Sequence, residues 1–296
     1  MQILGIIIVL GAVFGGFALM GGTFGAIWHP TELVVIGGAA LGALVLGNPK
    51  HVLGEMLVQM KKIAARQKHD SEFQRQLLLL MYELLQTAAG GLKALDAHVE
   101  APKESPMFQR YPKILEEPKL LAFIVDNFRL MAMGKINAHE LEGVLEQELD
   151  AIHEELSQPA KSLHKVAEAM PGFGILAAVL GIVLTMNSVG EGADTAEIAE
   201  RIGAAMVGTF IGIFFCYGVL DPISGMMKQL VNSEASTMET VKVVLCTHVA
   251  GKPPLLAIDA GRRLIQLNTK PSFAQLETWI NAMADGEDAG AAKRKA

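Results

Sequence analysis

His139 and His153 each stand before a glutamate, in "HELEG" and "HEELS". That is the opening of the pattern by which a helical zinc hydrolase presents two histidines and a base on one face. The second histidine, due four residues on, is missing, because position 143 is Gly143 and position 157 is Ser157. Both histidines read as surface residues, and no metal site is expected. Cys216 and Cys246 are too few for a disulfide framework and read as packing residues. Ser188 and Thr185 lie in an apolar stretch that holds no base, and no G-x-S-x-G turn occurs. The chain is expected to be no enzyme, and no cofactor is called for.

The residues that remain chemically suggestive sit in two long uncharged stretches. Pro171 opens one and Pro222 closes the other, at matching depth, where a proline bends a helix and frees backbone groups. Thr209 is a lone hydroxyl near the middle of the second stretch. Around these lie Gly172, Gly174, Ala177, Ala178 and Gly181 in the first, and Gly203, Ala204, Gly208 and Gly212 in the second. Small residues at such spacing let helix backbones approach closely. The uncharged stretches contain no Asp, Glu or His, whereas a proton relay at membrane depth requires a carboxylate. An ion path here would take polar, flexible lining from this chain and its carboxylate from a partner.

The elements that position these residues are spans. No Asp, Glu, Lys or Arg occurs from Met1 to Thr31, and Ile3 to Met20 is almost wholly apolar. Glu32 then opens a second uncharged run, Leu33 to Gly47, flanked by Trp28, Pro30 and Asn48. A third run covers Gly172 to Gly190 and a fourth Ile202 to Leu220, each of 19 residues. At 1.5 Å per residue such a helix is roughly 28 Å long, close to the thickness of a bilayer's hydrocarbon core. The first run lacks the positive start and the cleavage site of a signal peptide and is read as retained. The pattern predicts an all-α, polytopic membrane protein with four transmembrane helices, at about 3–20, 33–48, 171–190 and 202–221, and a large helical cytoplasmic domain.

Charge sets the orientation. Lys50 to Lys165 holds 15 of the 25 Lys and Arg residues and Lys228 onward holds nine, whereas the short connections between spans hold only Arg201. The positive-inside tendency places both termini and the middle segment in the cytoplasm of a multi-pass inner-membrane protein. The expected divisions are 1–49, 50–169, 170–222 and 223–296. In the middle segment Val52 to Lys68, Phe73 to Leu85 and Leu120 to Met133 read as helices, with Arg75 and Glu83 on the polar side of the second. Four prolines between Ala101 and Lys119 predict an irregular but well-packed loop. Asn137 and Glu140 form a capping box for a helix whose apolar stripe is Leu141, Leu145, Leu149, Ile152 and Leu156. The end, "ADGEDAGAAKRKA", is expected to be disordered. A net charge of −6 without a basic stripe speaks against nucleic acid as a partner.

One stretch carries a family resemblance. "AMVGTFIGIFFCYGVLDP", Ala205 to Pro222, resembles the fourth-span signature of the MotA branch of the MotA/TolQ/ExbB proton channel family: Ala, apolar, x, small, Thr, apolar, x, Gly, then Pro ten residues after that Gly. "AMPGFGILAAVLGIV", "PTELVVIGGAALGALVLGN" and "APKESPMFQRYPKIL" are similar to the same family, and the likeness spans roughly Met1 to Phe273. It implies a flagellar motor stator subunit. A homo-pentamer would surround MotB, whose transmembrane aspartate carries the proton and whose outer domain grips peptidoglycan, and a cytoplasmic face would drive the rotor protein FliG. Carried over by position, Pro171 and Pro222 match prolines that couple proton flow to conformational change. Thr209 and Tyr217 fall in the pore-adjacent helix, and Ala178 stands where sodium-driven relatives place a threonine, which implies protons. Asp96 matches the acidic rotor contact, while the family's arginine falls on Ala88 or Ala89, leaving Lys93 to serve instead. Two other classes compete: a TolQ/ExbB-like subunit energising the outer membrane, which usually has three spans, and a structural scaffold in which the prolines and Thr209 are replaceable.

Overall fold

Proline at the first helical position recurs along this chain, and it explains where several helices begin, since the missing N–H is one that a helix start leaves unbonded anyway. The computed structural model describes residues 2–65, 69–133, 136–190, 192 and 194–283. The helices run in the order α1 (Gln2–Leu19), a 3-10 turn (Phe24–Ile27), α2 (Pro30–Leu46), α3 (Lys50–Ala64), α4 (Ser71–Ala89), α5 (Leu92–Val99), α6 (Pro106–Gln109), α7 (Pro112–Leu115), α8 (Pro118–Ala132), α9 (Ala138–Gly190), α10 (Thr195–Phe215), a π-helical segment (Cys216–Leu220), α11 (Asp221–Val249) and α12 (Pro254–Arg262). Residues 273–283 are also helical, and no strand occurs among the described residues. The described chain is therefore all-helical. The expected tail, 284–296, lies outside the described residues.

Two compact units divide the chain, residues 1–66 with 156–230 and residues 67–155 with 231–296. Among the described residues of the first, three helices are long and apolar enough to cross a membrane: Phe24–Leu46 and the apolar parts of Ala138–Gly190 and Thr195–Val249, with Leu4–Leu19 a shorter apolar helix. Leu176, Val179, Val183 and Met186 of α9 are exposed, as suits a surface meeting lipid or another apolar partner. Polar ties join α9 to its neighbours in this unit. Gln59 Nε2 donates to the Leu156 carbonyl at 2.8 Å, Ser224 Oγ donates to the Ala160 carbonyl at 3.0 Å, and Ser162 hydrogen-bonds Asn48.

The second unit is built around α4, whose Leu77, Leu78, Leu80, Leu84 and Leu85 are fully buried against a core that includes Phe108, Ile124 and Phe128. Each such side chain contributes about 1.5–3 kcal/mol on leaving water. Three expectations are refined here. The proline-rich stretch is well packed as expected, with Met107, Phe108 and Ile114 buried, but it is more regular than a loop, since α6, α7 and α8 each start on a proline. Glu83 is not on the solvent face; it is buried and accepts hydrogen bonds from Tyr111 Oη at 2.5 Å and from Arg110. The capping box forms as expected, with Glu140 N donating to Asn137 Oδ1 at 2.9 Å and Asn137 N to Glu140 Oε2 at 3.3 Å. The helix it opens does not stop before the third span, because Pro159 and Pro171 both lie inside α9.

Candidate ion-path and hinge site

Glycines bring α9 and α10 to backbone contact. A Cβ on Gly212 would lie 2.6 Å from the Met170 carbonyl oxygen, and one on Gly174 would lie 2.8 Å from the Gly208 carbonyl oxygen. One on Gly181 would stand 3.0 Å from the Ala205 Cβ. The sequence picked out the right faces but not every member: Gly172 and Gly203 have nothing within 4 Å, and Ala205 takes the place expected of Ala204. Ala178 and Thr209 are half-buried beside this seam, Ala178 one residue after the buried Ala177 and Thr209 one after Gly208. The nearby hydroxyls of Thr185 and Ser188 bond back to the Gly181 and Leu184 carbonyls at 2.8 and 3.1 Å, so they serve their own helix.

Pro171 sits beside the Met170–Gly212 end of that seam and Pro222 lies ten residues beyond Gly212, and each disturbs its helix in a definite way. Pro171, half-buried inside α9, has no N–H for the carbonyl one turn back, at Ala167. The Met170 carbonyl just before it is the group pressed against Gly212. Pro222 is exposed and is the second residue of α11, and the five residues Cys216–Leu220 before Asp221 wind as a π-helix. There the Asp221 N–H reaches the Cys216 carbonyl, five residues back. This extra residue widens the turn that a proline ring would otherwise crowd, and π segments commonly mark functional bends. Tyr217 lies in the π segment and is 69% exposed. Phe14 of α1 packs edge-on to Phe214, with ring centroids 5.3 Å apart, just before the same segment.

Two features escaped the sequence reading. His164 of α9 bonds Asp221 through Nδ1 at 2.8 Å and approaches Glu168 through Nε2 at 3.5 Å, a lateral tie beside both prolines. The i,i+4 spacing of His164 and Glu168 was the available signal. The second is a carboxylate. The spans were expected to hold none, yet α2 begins at Pro30, which puts Glu32 in its first turn. Glu32 Oε2 is buried without a hydrogen-bond partner and lies 2.8 Å from where a Cβ on Gly208 would be. Cutting the second span at its first uncharged residue hid this group.

The expected rotor residues belong to the other unit. Gly91, at φ 128, takes a conformation that only glycine adopts readily and turns the chain from α4 into α5. Asp96 is exposed on α5; Lys93 is on the same helix, and its side chain lies outside the described residues. Ala88 and Ala89 end α4. No group of His, Cys, Asp and Glu suited to a metal occurs among the described residues. Cys216 and Cys246 are both free thiols, and burial pushes Cys246 up to about 11.

Residues 3–91 match the family described as motility protein A N-terminal, and residues 117–240 match the MotA/TolQ/ExbB proton channel family. The chain is 50% identical over 280 residues to the chemotaxis protein LafT of Vibrio parahaemolyticus, covering 94% of this chain and 98% of that one. The chain belongs to the MotA/TolQ/ExbB proton channel family. Within it the likeness is to the MotA branch, since motility protein A of Salmonella typhimurium is 36% identical over 282 residues, 95% of each chain. The fold agrees: C. jejuni MotAB superposes with a TM-score of 0.71 at 17% identity, covering 91% of this chain and 97% of that one.

Proposed function

We propose that this chain is a stator subunit of a bacterial flagellar motor, which with a MotB partner forms a proton-conducting complex and converts ion flow into torque on the rotor. The near-full-length likeness to motility proteins carries the reading, and it favours the motor over a TolQ/ExbB-like role. The chain lies in the inner membrane with four spans, 1–49 supplying two and 170–222 the other two, and with both termini, 50–169 and 223–296 in the cytoplasm. Five copies, bounded by lipid, surround the partner.

In this reading the glycine seam of α9 and α10 forms the wall along which the partner's carboxylate loads and unloads protons, with Thr209 and Tyr217 on the pore side. Ala178 in place of a hydroxyl favours protons, since it offers no oxygen to coordinate sodium. Pro171 and Pro222 are hinges. Protonation of the partner's carboxylate removes a charge from the seam, and backbone freed at the prolines lets the helices respond to that change. The exposed Asp96, with Lys93, engages FliG. These roles move protons and transmit force, and no enzyme activity is assigned.

Deleting the gene tests the reading. Assembled but paralysed flagella are expected, whereas normal swimming with failed iron-siderophore uptake would select the TolQ/ExbB-like role. Pro171→Ala and Pro222→Ala should each abolish or strongly reduce motility at normal membrane abundance. Full torque in both would remove the hinges from the mechanism.

A further inference from the structure

Glu32 is placed where a merely structural acid would not be. A glutamate in the first turn of a helix is favoured by the positive end of the helix dipole, and that alone would account for an acid at this position on α2. Such an acid serves the dipole while facing water or the free N–H groups. Here one oxygen of the half-buried side chain, Oε2, is instead turned against α10 opposite Gly208, which has no side chain, and is excluded from solvent without a hydrogen-bond partner. Any residue larger than glycine at 208 would displace it. Burying a carboxylate oxygen unpaired is unfavourable while the group is charged and much less so once it is protonated.

Few other charges bear on the group. On its own element His29 is the N-cap residue of α2, just outside the helix. On α10 the nearest charged residues in sequence are Arg201, Glu200 and Glu197, and Arg201 pairs with Glu197 at 2.8 Å. Arg201 is seven residues before Gly208, roughly 10 Å along the helix axis. The Gly172–Gly190 stretch of α9 and residues 2–19 of α1 carry no charge. Among the described residues His29 acts electrostatically on Glu32, and no permanent cation or competing anion is found against it.

Resting on the stator reading above, we propose that Glu32 is a second proton-exchanging carboxyl on the ion path, lodged in the niche at Gly208 and passing protons between the outer water and the partner's membrane carboxylate. Glu32 takes one proton from hydronium, forming one O–H bond and releasing one water. It then gives that proton to the partner's ionised carboxylate and returns to its anionic form; no other species is consumed. Gly208 keeps the niche open. Thr209, the next residue, lies on the helix that both carboxyls face.

Bead-rotation assays in cells carrying the whole motor provide the test, with wild type, Glu32→Gln and Glu32→Asp compared at low and high load across external pH. Wild type must rotate; if it does not, the stator reading has failed and not this one. Glutamine keeps the shape and cannot shuttle the proton. Glu32→Gln is expected to lower low-load speed several-fold while stall torque per stator stays near wild type, because only ion transfer is slowed. Unchanged low-load speed and pH profile would overturn the proposal. A purely structural role would instead reduce torque and stator number together at every pH, and that outcome also overturns it. If Glu32→Gln fails to accumulate in the membrane, Glu32→Asp decides: a shifted pH profile of speed supports the relay, and a wild-type profile refutes it.

Discussion

Replacing Gly212 with alanine adds a single carbon at the tightest point between α9 and α10. That carbon would lie 2.6 Å from the Met170 oxygen and 3.1 and 3.2 Å from the Cα and N of Gly174, all backbone atoms that cannot swing aside. Ordinary contact begins near 3.4 Å, so the helices must separate by about 0.8 Å at this level. Overpacking of this kind costs roughly 1–3 kcal/mol. Alanine returns up to about 1 kcal/mol through its better helix propensity. Gly203→Ala supplies the control, because nothing lies within 4 Å of its added carbon and only the propensity gain remains. The two variants should differ by roughly 1–3 kcal/mol, the clash cost alone. Thermal unfolding of the purified complex in detergent reads that difference as a lower midpoint for Gly212→Ala than for Gly203→Ala, and motility should fall in the first variant only. Matching midpoints and matching motility would falsify the backbone-contact seam.

Further outcomes follow from the second unit. Glu83→Ala leaves Arg110 and the Tyr111 hydroxyl without their shared acceptor and should lower stability by roughly 1–3 kcal/mol in chemical unfolding. Acid should destabilise this unit in two stages. Burial holds His248 below 6.5, so its neutral form is favoured and stability is lost as pH falls below 6.5 towards the folded value. Burial pushes Asp259 up, but hydrogen bonds from Arg262 and Arg263 outweigh it and hold the carboxyl below 3.8, so its contribution is present above 3.8 and disappears as pH falls through the lower folded value. A pH series of unfolding midpoints checks this, and His248→Asn should remove the first stage. Asp96→Lys should impair motility without changing membrane abundance, and a compensating charge reversal on FliG should restore it.

What the sequence made legible was whatever depends on composition and local period. Charge-free runs marked the apolar helices, Asn137 with Glu140 marked a helix start, and glycine spacing marked the faces that meet. Features set by tertiary placement were harder to read. Glu83 looked solvated because the turn carrying Arg110 and Tyr111 approaches it from 27 and 28 residues away. The prolines between Ala101 and Lys119 looked like breakers, yet three of the four, Pro106, Pro112 and Pro118, each begin a helix because the ring suits the N1 position. Glu32 was hidden by the rule that found the spans, since a charge was used to mark a boundary that the helix itself crosses. The π segment before Pro222 has no signature in residue type, since Pro159 and Pro171 lie inside α9 without one.

Rotation under a controlled ion gradient decides whether this chain is a proton-driven torque generator. In a deletion strain carrying an inducible copy, bead rotation in sodium-free medium should rise in discrete steps as the chain is expressed and stop when a protonophore collapses the proton gradient. Rotation that needs sodium, or that continues after the proton gradient is gone, would contradict it.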